Sequence, residues 1–90
     1  MTIKKLSKMP YAQAHVEIDE NGDSYLFSYV TLVAQVEGGW FSVNGLYSAT
    51  TLRHIGAYAR EYANTDYQLA KQIYTDNKKF NIETGEVEDI

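Results

Sequence analysis

The sequence predicts an α+β fold: an antiparallel β-meander of three or more strands, with two helices from the C-terminal half packed on one face. Three observations carry this expectation. From Gln13 to Asn44 apolar residues recur with a period of two, broken at Asn21-Gly22 and Gly38-Gly39. From Ser48 onward the period lengthens to that of a helix. The chain has only 90 residues, 44% of them hydrophobic, which is one domain spanning 1–90. A chain of this size buries about 60–65% of its unfolded surface, so a core forms but little is left for a deep catalytic cavity.

Taken in order, residues 1–10 read as an irregular N-terminal arm ending at Pro10. In the first strand Ala14, Val16 and Ile18 face one way and His15, Glu17 and Asp19 the other. Asn21-Gly22 supplies two positions that tolerate positive φ, a strong hairpin signal. The run from Ser24 to Glu37 is too long for one average strand, and a bend or bulge is expected near Ser28 to Thr31. In its second half Thr31, Val33 and Gln35 alternate with Leu32, Ala34 and Val36. Gly38-Gly39 turns the chain into a strand from Trp40 to Asn44, with Phe41 and Val43 opposed to Trp40, Ser42 and Asn44.

Ser48 is placed as the N-cap of the first helix, and Thr51 at its third position forms no capping box. Leu52, Ile55, Ala59 and Tyr62 share one face, with Arg53, Ala57, Arg60, Glu61 and Asn64 elsewhere. Gly56 costs this helix about 1 kcal/mol against Ala, unless it admits a close backbone. Thr65 or Asn64 caps a second helix with Tyr67, Ala70, Ile73 and Tyr74 on its apolar side, and the chain turns sharply between the two. Residues 81–90 form an acidic tail, either flexible or folded as an edge strand or hairpin around Thr84-Gly85.

Absence of cysteine excludes disulfides, thiolate metal sites and thiol nucleophiles. No apolar run is long enough to span a membrane, and the N-terminal residues lack the apolar region of a secretory signal; a cytoplasmic location follows as the expectation. Twelve acids against eight bases leave a net charge of −4, which weighs against general nucleic-acid binding. The charges are segregated. Lys4, Lys5 and Lys8 make one basic end, while Glu17, Asp19, Glu20 and Asp23 make one acidic cluster and Glu83, Glu86, Glu88 and Asp89 another. Acidic surface of this kind selects and steers a basic protein partner.

No motif of a catalytic class is present. Glu17, Asp19, Asn21 and Gly22 match the start of a calcium loop, but the position that needs a bidentate Glu holds Ser28, so a hairpin turn explains them better. Thr50, Thr51, Arg53 and His54 open a helix where an anion can bind, though hydroxyls there also satisfy the helix's own N–H groups. His15 and His54 stand apart, without metal-ligand spacing or an orienting partner. The expectation is a protein without enzymatic activity, metal or cofactor. Eight tyrosines and Trp40 are many for 90 residues. Tyr58 and Tyr62 lie at helical spacing and read as core. Tyr11, Tyr25, Tyr29 and Tyr47 in strands and loops are candidates for a contact face, either for protein beside acids or for bases beside Lys and Arg.

The stretch from Ser28 to Tyr62 also resembles a small domain of unknown function found in short proteins of Gram-positive phages and mobile elements. The matching features are Tyr29 and Thr31 at a strand entry, Val33-Ala34, the Phe41-to-Asn44 strand, and the Ser48-to-Ile55 helix start. The resemblance implies a phage accessory protein acting in the host cytoplasm by binding a host protein. The leading expectation is an anti-defence inhibitor, an anti-CRISPR protein, that mimics DNA and occupies the DNA- or PAM-binding region of an RNA-guided nuclease. Its partner-binding residues would be Asp19, Glu20, Asp23, Glu83, Glu86, Glu88 and Asp89. The alternative is a small nucleic-acid-binding or regulatory phage protein using Lys4, Lys5, Lys8, Arg53, Arg60, Lys78 and Lys79. Monomer and homodimer are both compatible with the sequence.

Overall fold

The computed structural model describes residues 1–45 and 48–90. The elements are β1 (Thr2–Lys4), β2 (Ala14–Ile18), β3 (Ser24–Ser28), β4 (Thr31–Glu37), β5 (Trp40–Val43), α1 (Ala49–Tyr62), α2 (Tyr67–Thr75), β6 (Lys78–Asn81) and β7 (Val87–Asp89). The strands form one sheet in sequential order with every neighbouring pair antiparallel. The helices are inserted between β5 and β6 and cover one face. The shortest dimension of the molecule, 19 Å, holds one sheet and one layer of helices about 10–12 Å thick. Among the described residues no helix covers the opposite sheet face.

Side-chain alternation builds the core. Val16, Leu26, Ala34 and Val43 are register partners in a line across four strands and all are buried. Ile55, Tyr58 and Ala59 of α1 and Ala70 and Ile73 of α2 close over them. The opposite face satisfies itself. His15 stacks on Phe27 at 5.0 Å and meets Glu17 at 3.0 Å. Tyr25 donates to Glu37, Gln35 bonds Ser42 and Asn44, and Lys79 lies over Trp40.

Several expectations are corrected. The N-terminal arm is not wholly irregular: β1 pairs with β2, and Leu6 is fully buried. The run from Ser24 to Glu37 is a hairpin rather than one bent strand. Its reversal is at Tyr29, whose φ of 58° is left-handed. That conformation costs a non-glycine residue about 1–2 kcal/mol. Tyr29 is held there by its N–H bond to the Gln13 carbonyl at 2.7 Å and by its ring tilted over His54. A register shift beside Leu26 and Phe27 leaves Val33 and Ala34 both buried, which breaks the expected alternation in β4.

Ser48 caps α1 as expected, accepting from the Thr51 N–H at 3.2 Å. The buried face of α1 is rotated from the expected one: His54 lies inside, Ala57 is buried too, and Leu52 and Tyr62 are half-buried, while Tyr58 is buried as its spacing predicts. The cap of α2 is Asp66, not Asn64 or Thr65; its carboxylate accepts from the Leu69 N–H at 3.0 Å. Asn64 instead makes the sharp turn at φ 55°. On α2 only Ala70 and Ile73 are buried, while Tyr67 and Tyr74 are exposed. The C-terminal segment takes the hairpin alternative, β6 pairing with β7.

Candidate functional site

The site begins with one stripe of α1. Ala49, Leu52, Arg53, Gly56, Ala57 and Arg60 recur at helical spacing and form the floor and one wall of a cleft of about 540 Å³. The arm supplies Lys8, Met9 and Tyr11; α2 supplies Tyr67 and Lys71. Four of the chain's eight basic residues thus line one cleft, and among the described residues no acid does. In a molecule of net charge −4 this is a local reversal of sign, and clefts concentrate such a field.

Each wall is held by chemistry legible in the local structure. Leu6 anchors the arm in the core, and the Met9 and Ala12 N–H groups close two successive turns on the Leu6 and Met9 carbonyls, both at 3.1 Å. Ser7 donates from its N–H and its hydroxyl to the two carboxylate oxygens of Glu61, at 2.9 and 2.7 Å, which ties the arm to α1. The second wall meets α1 at Gly56. A Cβ there would lie 3.1 Å from the Tyr67 Cβ, so glycine spares the first residue of α2 a shift of a few tenths of an ångström. The close approach at Gly56 is made by the Tyr67 side chain, while the Tyr67 Cα stays at 4.0 Å.

Of the seven basic residues singled out in the sequence, the cleft gathers Lys8, Arg53 and Arg60. Lys4 and Lys5 are exposed at and just after β1. Lys78 pairs with Asp89, and Lys79 covers Trp40. Lys71, Tyr67 and Tyr11 complete the cleft. Tyr67 and Lys71 are one helical turn apart, a signal for a shared face, but nothing local says that this face meets the Arg53–Arg60 stripe. Tyr47 lies outside the described residues.

The acids divide differently. Gly38 N–H donates to the Asp23 carboxylate at 3.0 Å and Ile82 N–H to the Gly39 carbonyl at 2.9 Å. These bonds bring the β2–β3, β4–β5 and β6–β7 turns to one end of the sheet, with Asp19, Glu20, Asp23, Glu83 and Glu86 on them. Asp19 also accepts from the Asn21 and Asp23 N–H groups, so Asp19 and Asp23 build the turn. Glu88 and Asp89 lie in β7 opposite Lys79 and Lys78; the Lys78 ammonium holds the Asp89 carboxyl below its usual range through a direct hydrogen bond and its charge.

The remaining chemistry-bearing groups are structural. His54 Nδ1 lies 2.8 Å from the Ser28 hydroxyl, within reach of a nucleophile–base pair. Both residues are only 2% exposed, so no substrate approaches them. Burial lowers the His54 pKa, since it disfavours the charged ring. Thr51 bonds Ser48 and Ser28, which leaves Thr50 and Arg53 as the exposed polar groups of the expected helix-start anion site. Tyr58 donates to the Ser24 carbonyl and bonds its hydroxyl, and burial pushes the phenol well above its ordinary range. Among the described residues no group of three His, Asp or Glu side chains is placed to hold a metal ion.

Fold and cleft together define a small α+β domain with a basic, tyrosine-walled groove on its helical layer. The chain belongs to DUF8033, a family of unknown function, which it matches over residues 1–77. That span includes every residue of the cleft and stops before the β6–β7 hairpin. No curated protein and no solved structure matches the chain. No helix among the described residues is long and apolar enough to cross a membrane.

Proposed function

We propose that the protein is a non-enzymatic domain that binds nucleic acid in the cleft on α1. The observation that carries this reading is the convergence of Lys8, Arg53, Arg60 and Lys71 on one groove without an acid among its described lining residues. Phosphate neutralisation by lysine and arginine is the main term in nucleic-acid affinity, and it releases counterions. Four such contacts on a single strand correspond to a slope of log K against log salt of about −3. The overall charge of −4 weighs against adhesion at the acidic end of the sheet. The test is anisotropy of labelled oligonucleotides titrated with the protein between about 50 and 200 mM salt. Binding with that slope, lost in the Arg53→Glu, Arg60→Glu double variant with its circular dichroism unchanged, supports the reading. Absence of binding at low salt, or unchanged affinity in that variant, refutes it.

A second reading rests on the three turns that meet at the acidic end. That end suits a basic protein surface, and with the resemblance to phage domains it supports an anti-defence role against an RNA-guided nuclease. Because Asp19 and Asp23 hold their turn, the informative reversal is Glu20, Glu83 and Glu86 to Lys. Capture of an RNA-loaded nuclease from a Gram-positive host, with inhibition of its DNA cleavage, supports this reading when the triple reversal abolishes both. Failure to inhibit, or inhibition indifferent to the reversal, ends it.

A further inference from the structure

We propose that the cleft takes single-stranded rather than duplex nucleic acid, with an unstacked base held between Tyr11 and Tyr67. This deepens the nucleic-acid reading and rests on it. Tyr11 is 81% exposed and Tyr67 42% exposed, and the arm and α2 bring both to the lining of one cleft together with Lys8, Arg53, Arg60 and Lys71. Tyr67 itself covers Gly56, so the surface open to a ligand ring is the exposed part of the tyrosines and not the helix backbone beneath them. The backbone that carries them is organised in advance: the Tyr67 Cβ packs against Gly56, and the arm that bears Tyr11 is tied to α1 by Ser7 and Glu61. Aromatic side chains so placed give up little freedom on binding.

Size separates the two ligand forms. A volume of about 540 Å³ falls in the range that encloses one small-molecule-sized group, and a nucleotide is of that order. A B-form duplex, with a major groove alone about 12 Å wide, rests on the rim with its bases stacked inside and leaves both tyrosines without a partner. A single strand uses both features of the cleft, its bases on the tyrosines and its phosphates on the cations, which is the general pattern of strand-binding grooves.

The experiment compares oligothymidylate, oligouridylate and a mixed-sequence strand with its own duplex, using wild type, Tyr11→Ala, Tyr67→Leu and Arg53→Ala. Leucine at 67 keeps the Cβ that packs on Gly56. The expected result is tighter binding of single strands than of duplex by at least about tenfold. Each tyrosine variant should weaken strand binding about 5- to 100-fold without changing the salt slope, whereas Arg53→Ala lowers that slope by about 0.7. The better of the deoxy and ribo strands identifies the sugar. Duplex binding equal to or tighter than strand binding, or tyrosine variants that bind strands like wild type, overturns this inference and leaves the nucleic-acid reading standing. If no oligonucleotide binds at low salt, that reading falls as well.

Discussion

The contact between Tyr58 and Ser24 offers a clean measurement of how α1 is seated on the sheet. The Ser24 hydroxyl lies 2.7 Å from the Tyr58 oxygen, which in turn donates to the Ser24 carbonyl at 3.1 Å. Tyr58 is fully buried and Ser24 is 3% exposed, so water replaces neither bond. Tyr58→Phe removes the oxygen that both Ser24 groups contact and leaves the buried serine hydroxyl without that partner; the expected loss is about 1–3 kcal/mol. Ser24→Ala removes the serine hydroxyl yet leaves the phenol donating to the carbonyl, so its cost is a single net hydrogen bond, about 0.5–1.5 kcal/mol. In the double variant no stranded hydroxyl remains, and the loss falls below the sum of the two by about 0.5 kcal/mol or more. The assay is urea unfolding followed by far-UV circular dichroism, with thermal midpoints moving about 4–8 °C per kcal/mol for a domain of this size. Equal losses in the two single variants, or strict additivity in the double, would refute the claim that the phenol is the hub of this contact.

Three other outcomes are expected. Leu6→Ala should cost about 2–5 kcal/mol, because Leu6 is fully buried; a loss near zero by the same unfolding assay would mean the arm is not part of the core. Gly56→Ala sets a helix gain of about 1 kcal/mol against the 3.1 Å approach to Tyr67, so its thermal midpoint stays close to wild type. Gly56→Val adds bulk that cannot move aside and should cost about 1–3 kcal/mol, and equal midpoints for the Ala and Val variants would sink the close-packing argument. Burial lowers the pKa of His54 in the folded state, so the unfolded chain takes up a proton first. The stability this group contributes is present above its unfolded pKa of about 6.5 and is lost as pH falls through that value toward the folded one. His54→Gln should therefore show a flatter stability profile than wild type between about pH 7 and 5, measured by urea midpoints, and parallel profiles would contradict the assignment.

Legibility in the sequence followed the range of the physics. β2, β5 and the cap of α1 rest on alternation, on the glycine pair before Trp40 and on one serine hydroxyl, all within a few residues, and they were readable. The β3–β4 hairpin was not, because its turn carries Tyr29 where a left-handed residue is normally Gly or Asn; the compensation comes from Gln13 and His54, distant in the chain. The same limit explains the rotated face of α1. His54 reads as polar until Ser28 of β3 supplies its hydrogen bond, whereas Tyr58 reads as core from its spacing and only its Ser24 partner needed the structure. For Gly56 the pattern left open whether it was a weak point or a contact, and Tyr67 decided it.

By itself the sequence determined the class of architecture, the lack of cysteine chemistry and the separation of charge into blocks, since composition and periodicity are properties of the chain. Which charges act together was decided only by the tertiary structure. Lys8, Arg53, Arg60 and Lys71 belong to an arm and two helices, and they become neighbours because Leu6 is buried and the Tyr67 Cβ packs against Gly56. Lys78 and Lys79, adjacent in sequence and equally basic, are turned to Asp89 and Trp40 by the pairing of β6 with its neighbours. A charge acts over the distance to its neighbours in space, and that distance is set by packing.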